Sequence, residues 1–140
     1  MAEISTNIIL DGITLALRKA YPESAIYCKA VKQGLRPPAF IVLLAMAGQE
    51  AQPSKRWKRS VRFDVLYFPE AGREECYATA DELCQILDVI TLPTGDLLRG
   101  SDVSCEVVDG VLHFFISYNH FAYALQEEDA METLQIEQEG

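Results

Sequence analysis

Histidine is scarce in this chain, cysteines are unpaired and no long apolar run occurs; each shortage removes a class of function. Among 140 residues there are two histidines, His113 and His120. Nucleophilic catalysis needs a base beside the nucleophile, and that base is usually histidine. Neither a GxSxG elbow nor an HExxH sequence is present. Phosphate loops need clustered glycines, so that backbone N–H groups can approach an anion. Here the glycines are scattered at turns, and the stretch Gly95-Asp96-Leu97-Leu98-Arg99-Gly100 matches no phosphate spacing. Cys28, Cys76, Cys84 and Cys105 form no CxxC pair and no close Cys/His set, which excludes the usual zinc arrangements. Each lies in an apolar strand or helix pattern, so the expectation is four small, buried, reduced side chains. No catalytic, cofactor-binding or metal-binding residue is assigned. The longest strongly apolar stretch covers residues 39–47. That is far short of the roughly 20 residues that span a bilayer. The start, Met1-Ala2-Glu3-Ile4, lacks the basic and apolar segments of a signal peptide. A cytosolic chain without a membrane partner is expected.

What the chain does have suits one globular domain. A domain of this size buries about two thirds of the surface its unfolded chain exposes. The net charge of −9 argues against general binding to nucleic acid or anionic membrane. The charges are unevenly placed. Five of the 12 basic residues fall between Lys55 and Arg62, whereas residues 126–140 hold six acids and no base. The expected organisation is a domain over residues 1–125, followed by an acidic tail over 126–140.

Periodicity supplies the elements. Residues 6–20 predict a helix capped by Thr6 or Asn7, with Ile9, Ile13, Ala16, Leu17 and Ala20 on one face. Arg18 and Lys19 suit its C-terminal dipole. Residues 25–32 predict a strand. Pro37 and Pro38 stiffen the connection that follows. Residues 39–48 predict a buried strand, and the polar stretch 49–56 a mobile loop. In residues 57–68, Val61, Phe63, Val65 and Tyr67 alternate with Ser60, Arg62 and Asp64, as in a half-buried strand. A helix is predicted over 73–90, with Cys76, Ala80, Leu83, Cys84, Leu87 and Ile90 as its apolar stripe. Asp109-Gly110 marks a two-residue hairpin turn that pairs Val108 with Val111, Glu106 with His113 and Ser104 with Phe115. Its core face would carry Val103, Cys105, Val107, Leu112, Phe114, Ile116 and Tyr118. The fold class is therefore α+β: an antiparallel or mixed sheet of about five strands packed under two helices, in the order α-β-β-β-α-β-β.

Few side chains suggest chemistry. His113 reads as a surface cross-strand partner of Glu106, and His120 as exposed or half-buried. Asp64 could start a metal site, but no ExK follows it in a nearby strand. The interface candidates are Lys55, Arg56, Trp57, Lys58, Arg59 and Arg62, together with the outward Phe115. Bases interleaved with an aromatic are either a solvated loop leading into a strand or a contact for an acidic surface. That surface could be DNA or the acidic tail of a neighbouring copy. If Phe121 and Tyr123 continue the register of Phe115, the aromatic row is either a subunit interface or lies under the acidic segment.

Four stretches carry a resemblance to a known family. They are Asn7-Ile8-Ile9-Leu10-Asp11-Gly12-Ile13, Val31-Lys32-Gln33-Gly34-Leu35-Arg36-Pro37-Pro38-Ala39-Phe40, Phe63-Asp64-Val65-Leu66-Tyr67-Phe68-Pro69 and Val108-Asp109-Gly110-Val111-Leu112-His113-Phe114-Phe115. Together they resemble the tail terminator, or tail completion, proteins of long-tailed phages and Gram-positive prophages. The resemblance runs from about residue 7 to residue 123 and stops before the acidic tail. It implies a structural α+β protein, not an enzyme. Such a protein forms a ring with copies of itself, commonly a hexamer, at the head-proximal end of the tail tube. It halts tube polymerisation and meets the head connector, and DNA passes through its lumen. It would assemble in the bacterial cytoplasm and reside in the virion tail. A neck or head–tail joining protein and a small nucleic-acid-binding regulator are the other readings.

Overall fold

The computed structural model describes residues 4–31 and 34–123. The first helix, α1 (Thr6–Ala20), has the predicted bounds, but its cap lies just outside them rather than at Thr6 or Asn7. Ser5 is its N-cap, in extended backbone, and the Ile8 N–H donates to Ser5 Oγ at 3.2 Å. Ile9, Ile13 and Leu17 are buried, while Ala16 is only half-buried and Ala20 lies exposed in the last turn.

Strand β1 (Ala25–Tyr27) is shorter than the predicted 25–32 and runs parallel to the start of β2 (Ala39–Gln52). The chain therefore has to travel back between them, and Cys28 lies in a bend rather than in a strand. The predicted loop over 49–56 is a further correction. Residues 49–52 continue β2 because β3 (Arg56–Phe68) supplies backbone partners: Gln49 faces Arg59, Glu50 faces Lys58, Ala51 faces Trp57 and Gln52 faces Arg56. Polar side chains do not disfavour a ribbon whose two faces are both solvated. Ser54 and Lys55 close the hairpin with φ of 67° and 59°. A bulge between Leu44 and Met46 inserts one residue into β2.

Helix α2 (Arg73–Ile86) ends earlier than the predicted 73–90. Leu87 closes it by donating its N–H to the Leu83 carbonyl at 2.9 Å. Val89 to Thr91 then form an edge strand, β4 (Val89–Thr91), paired antiparallel with β5 (Leu97–Val108). β-Branched residues fit that pairing. Leu87 and Ile90 are buried as the stripe requires, so their burial was readable although the backbone of Ile90 is not helical.

The last hairpin, between β5 and β6 (Val111–Tyr123), has the predicted register, with Asp109 and Gly110 at φ of 52° and 77°. Its expected core face holds only on β6, where Leu112, Phe114, Ile116 and Tyr118 are buried. On β5, Val103 and Cys105 are exposed and Val107 is half-buried. An irregularity between Ser101 and Ser104, with Asp102 at φ of 58°, interrupts the alternation there.

Among the described residues there are thus two helices and a six-stranded mixed sheet, with strand order β1-β2-β3-β6-β5-β4 and chain order α-β-β-β-α-β-β-β. The expected class was right, and the expected strand count missed β4. Helix α1 touches both edge strands, so the sheet curls around it. Fully buried Phe40, Phe63, Phe114 and Tyr118 fill the space between helices and sheet. The Tyr118 hydroxyl donates to the Leu87 carbonyl at 2.7 Å. Gly100 lets the layers meet, since a Cβ there would sit 2.4 Å from Ile116 Cδ1 and 3.1 Å from the Leu87 carbonyl oxygen.

Candidate functional surface

The outward face of the sheet carries the even-numbered side chains of β3 and the odd-numbered ones of β6. Alternation puts Arg56, Lys58, Ser60, Arg62 and Asp64 there, beside His113, Phe115, Ser117, Asn119 and Phe121. Two different regions result.

The first lies at the centre of the sheet and is cross-linked. Arg62 Nη1 donates to the Asp102 carbonyl at 2.6 Å and to Ser117 Oγ at 2.9 Å, and Nη2 donates to Ser104 Oγ at 3.0 Å. The same guanidinium lies 5.4 Å from the Phe115 ring centroid. Arg62 therefore ties β3, β6 and the irregular part of β5 together. Next to it, His113 Nδ1 sits 2.9 Å from Asp64 Oδ2. His113 does lie opposite Glu106 in register, but its ring reaches across to β3 instead, which corrects the expected pairing. The His113 ring stacks on Phe115 with centroids 6.2 Å apart. Asp64 Oδ1 is buried and has no hydrogen-bond partner among the described residues. No group of three His, Cys, Asp or Glu side chains able to hold a metal occurs among the described residues.

The second region is the far part of the β2–β3 hairpin, residues 44–59, hereafter the arm. It carries Lys55, Arg56, Trp57, Lys58 and Arg59. Alternation sends Arg56 and Lys58 outward and Trp57 and Arg59 to the helix side, so both faces of the ribbon bear positive charge. The Arg56 guanidinium lies 4.1 Å from the Phe121 centroid. Phe121 does continue the outward register of Phe115, and 45 % of it is exposed. Leu44, Met46 and Trp57 are also exposed. Beside Lys58 a polar groove of about 370 Å³ opens over Gly48, lined by Glu50, Ser60 and Asn119. The arrangement can hold an extended anion or an apolar surface of a partner.

Two expectations about single residues need correction. His120 is buried, on the helix side of the sheet in register with Arg59. Of the cysteines only Cys76 is buried, while Cys28, Cys84 and Cys105 are exposed. An apolar neighbourhood in sequence did not translate into cover, because these positions lie in a bend, on an uncovered part of α2 and on the interrupted strand β5. Sequence reasoning also missed the Asp64–His113 contact and the Arg62 clamp. Their parity was legible, but the adjacency of β3 and β6 was not.

A family model described as phage tail terminator protein matches residues 8–130. The chain belongs to the phage tail terminator protein family. The match extends past residue 123, where the expected resemblance ended, into the beginning of the acidic segment. A search of curated proteins returns no match. Phage tail terminators are structural proteins rather than enzymes. Membership makes the chain a phage tail component with the tail tube as its partner. Among the described residues, no helix is long and apolar enough to cross a membrane.

Proposed function

We propose that this chain forms a ring at the head-proximal end of the tail tube, stops tube polymerisation there and joins the tail to the head connector. The family match over residues 8–130 carries this reading. The arm supports it physically. Leu44, Met46, Trp57 and Phe121 expose apolar surface that the core does not use. Leu44 and Trp57 lie on the helix side of the ribbon and Met46 and Phe121 on its outward side, so both faces offer apolar surface to a partner. Under this reading Lys55, Arg56, Trp57, Lys58, Arg59 and Arg62, with Phe115 behind them, contribute to the surface between copies, to the tube or to the lumen. A basic surface at the lumen would meet the passing DNA. The acidic segment supplies the opposite sign for head-to-tail contacts, which close into a ring when the rotation allows; a hexamer is the expected closure.

The test is electron microscopy of tube protein polymerised with and without the chain, paired with light scattering of the chain alone. Short tubes ended by a ring-shaped density are the expected result. Tubes of unchanged length with no end density, from a chain that is monomeric throughout, would refute the proposal.

A further inference from the structure

The arm presents an imbalance that the described structure leaves unanswered. Between residues 44 and 59 there is one acid, Glu50, against four bases, in a chain whose net charge is −9. Arg62 is engaged by β5 and β6, and Arg56 lies over Phe121. The close contacts between basic side chains and carboxylates among the described residues are Arg99–Asp88 and His113–Asp64. None of them involves Lys55, Arg56, Lys58 or Arg59, so these four cations have no carboxylate partner among the described residues. Glu50 faces Lys58 in register without forming an ion pair.

Topology brings the missing charge to the same place. Strand β6 ends at Tyr123, which is in register with Arg56. The last described strand therefore ends at the tip of the arm, beside cations that have no carboxylate partner among the described residues. Glu127, Glu128 and Asp129 follow within six residues of that end, and Glu132, Glu137 and Glu139 come later. An extended chain covers about 3.3–3.6 Å per residue, so four residues reach roughly 14 Å. Successive residues on one face of a strand are about 7 Å apart. Glu127 to Asp129 can thus reach Lys55, Arg56 and Lys58 of their own chain.

We propose that the acidic segment, residues 126–140, seats on the basic arm of its own chain and acts as a built-in polyanion. It neutralises the arm and competes with any other anion for it. In the isolated chain the occupant is its own segment rather than a neighbour's, because a short tether keeps it near the site at millimolar effective concentration; the head-to-tail contacts of a ring would exchange the segment onto a neighbouring arm. Met131, Leu134 and Ile136 give the segment an apolar component that the exposed Met46 and Phe121 could receive. The consequence is regulatory. The arm is open to DNA, or to another subunit, only after the segment is displaced. This does not rest on the ring reading, since it concerns one isolated chain.

The experiment compares the full chain with a variant of equal length, E127Q/E128Q/D129N/E132Q, by amide NMR shifts at residues 55–62. In low salt, about 30 mM, the two spectra should differ there, and the difference should collapse near 0.5 M, where screening shortens electrostatic reach. It should not depend on protein concentration. Adding K58Q/R59Q should erase most of it. A short duplex DNA should bind the full chain about tenfold more weakly than the neutralised variant in low salt. Identical spectra at residues 55–62 in low salt would overturn the proposal. So would differences that grow with concentration alongside a heavier species, because the occupant would then be a second copy. Equal DNA affinity, within about twofold, would remove the competitive role.

Discussion

Strand β3 passes through two environments, and the same alternation has different consequences in each. From Val61 to Tyr67 every second side chain is buried beneath the helices, with Val61, Phe63 and Val65 at 1 % exposure or less. From Arg56 to Ser60 the strand keeps its pairing with β2 and β6, yet Trp57, which shares the helix side with Phe63, is 37 % exposed. On the arm, Ala47, Gln49 and Ala51 of β2 are exposed as well, although Ala122 and His120 of β6 are buried. Alternation selects a face; only a second layer turns that face into a core. One half of the hairpin therefore serves stability, and the other half is left uncovered by the described residues.

That contrast can be attacked from its strongest side first. Phe63→Ala removes a fully buried ring and should cost about 3–5 kcal/mol in denaturant unfolding. A cost below about 1 kcal/mol would mean that the helix-covered half is not the core. Gly100→Ala comes next. Its Cβ would press on Ile116 and on the backbone at Leu87, so a loss of about 1–3 kcal/mol is expected in the same measurement. Ser5→Ala should cost about 1 kcal/mol, because the first turn of α1 loses its cap, while Ser5→Asp should retain most of the stability.

A further test uses pH. The hydrogen bond from the Tyr67 hydroxyl holds the Glu75 carboxyl below its ordinary value of 4.5; N–H donors from Glu70 and Ala71 add to this, and burial opposes it. A lowered folded-state value means the unfolded chain takes up the proton first. The contribution is therefore present above about pH 4.5 and lost as pH falls through the folded value. Melting temperatures of the natural chain and Glu75→Gln should differ at pH 7 and converge in acid. A constant gap would exclude this linkage. The smallest expected effect is Lys58→Gln, within about 0.5 kcal/mol on unfolding. If Lys58→Gln nevertheless weakens tube capping or DNA binding, the division between a stabilising half and a contact half is sharpened.

Much of the inner face was legible along the chain. The stripe of α1, the alternation in β3 and the register of the Asp109-Gly110 hairpin depend on short-range spacing and turn geometry. The basic cluster of the arm was legible as composition. Its form was not, because the polar residues 49–52 are strand only through their partners on β3. The extent of α2 failed for a related reason: Ile90 continues the helical stripe, but Val89 to Thr91 find partners on β5. The Asp64–His113 contact joins residues 49 apart, which no local pattern registers.

By itself the amino-acid order determined which side chains share a face, where the tight turns fall, that the familiar catalytic motifs are missing and that charge of opposite sign is held in two separate blocks. Those properties follow from local backbone geometry and from counting. Tertiary structure decided which stretches of each face are covered, which strands become neighbours and how Arg62 and His113 are engaged. Burial and cross-strand contact require elements distant in the chain to meet, and the curl of the sheet around α1 sets where they do.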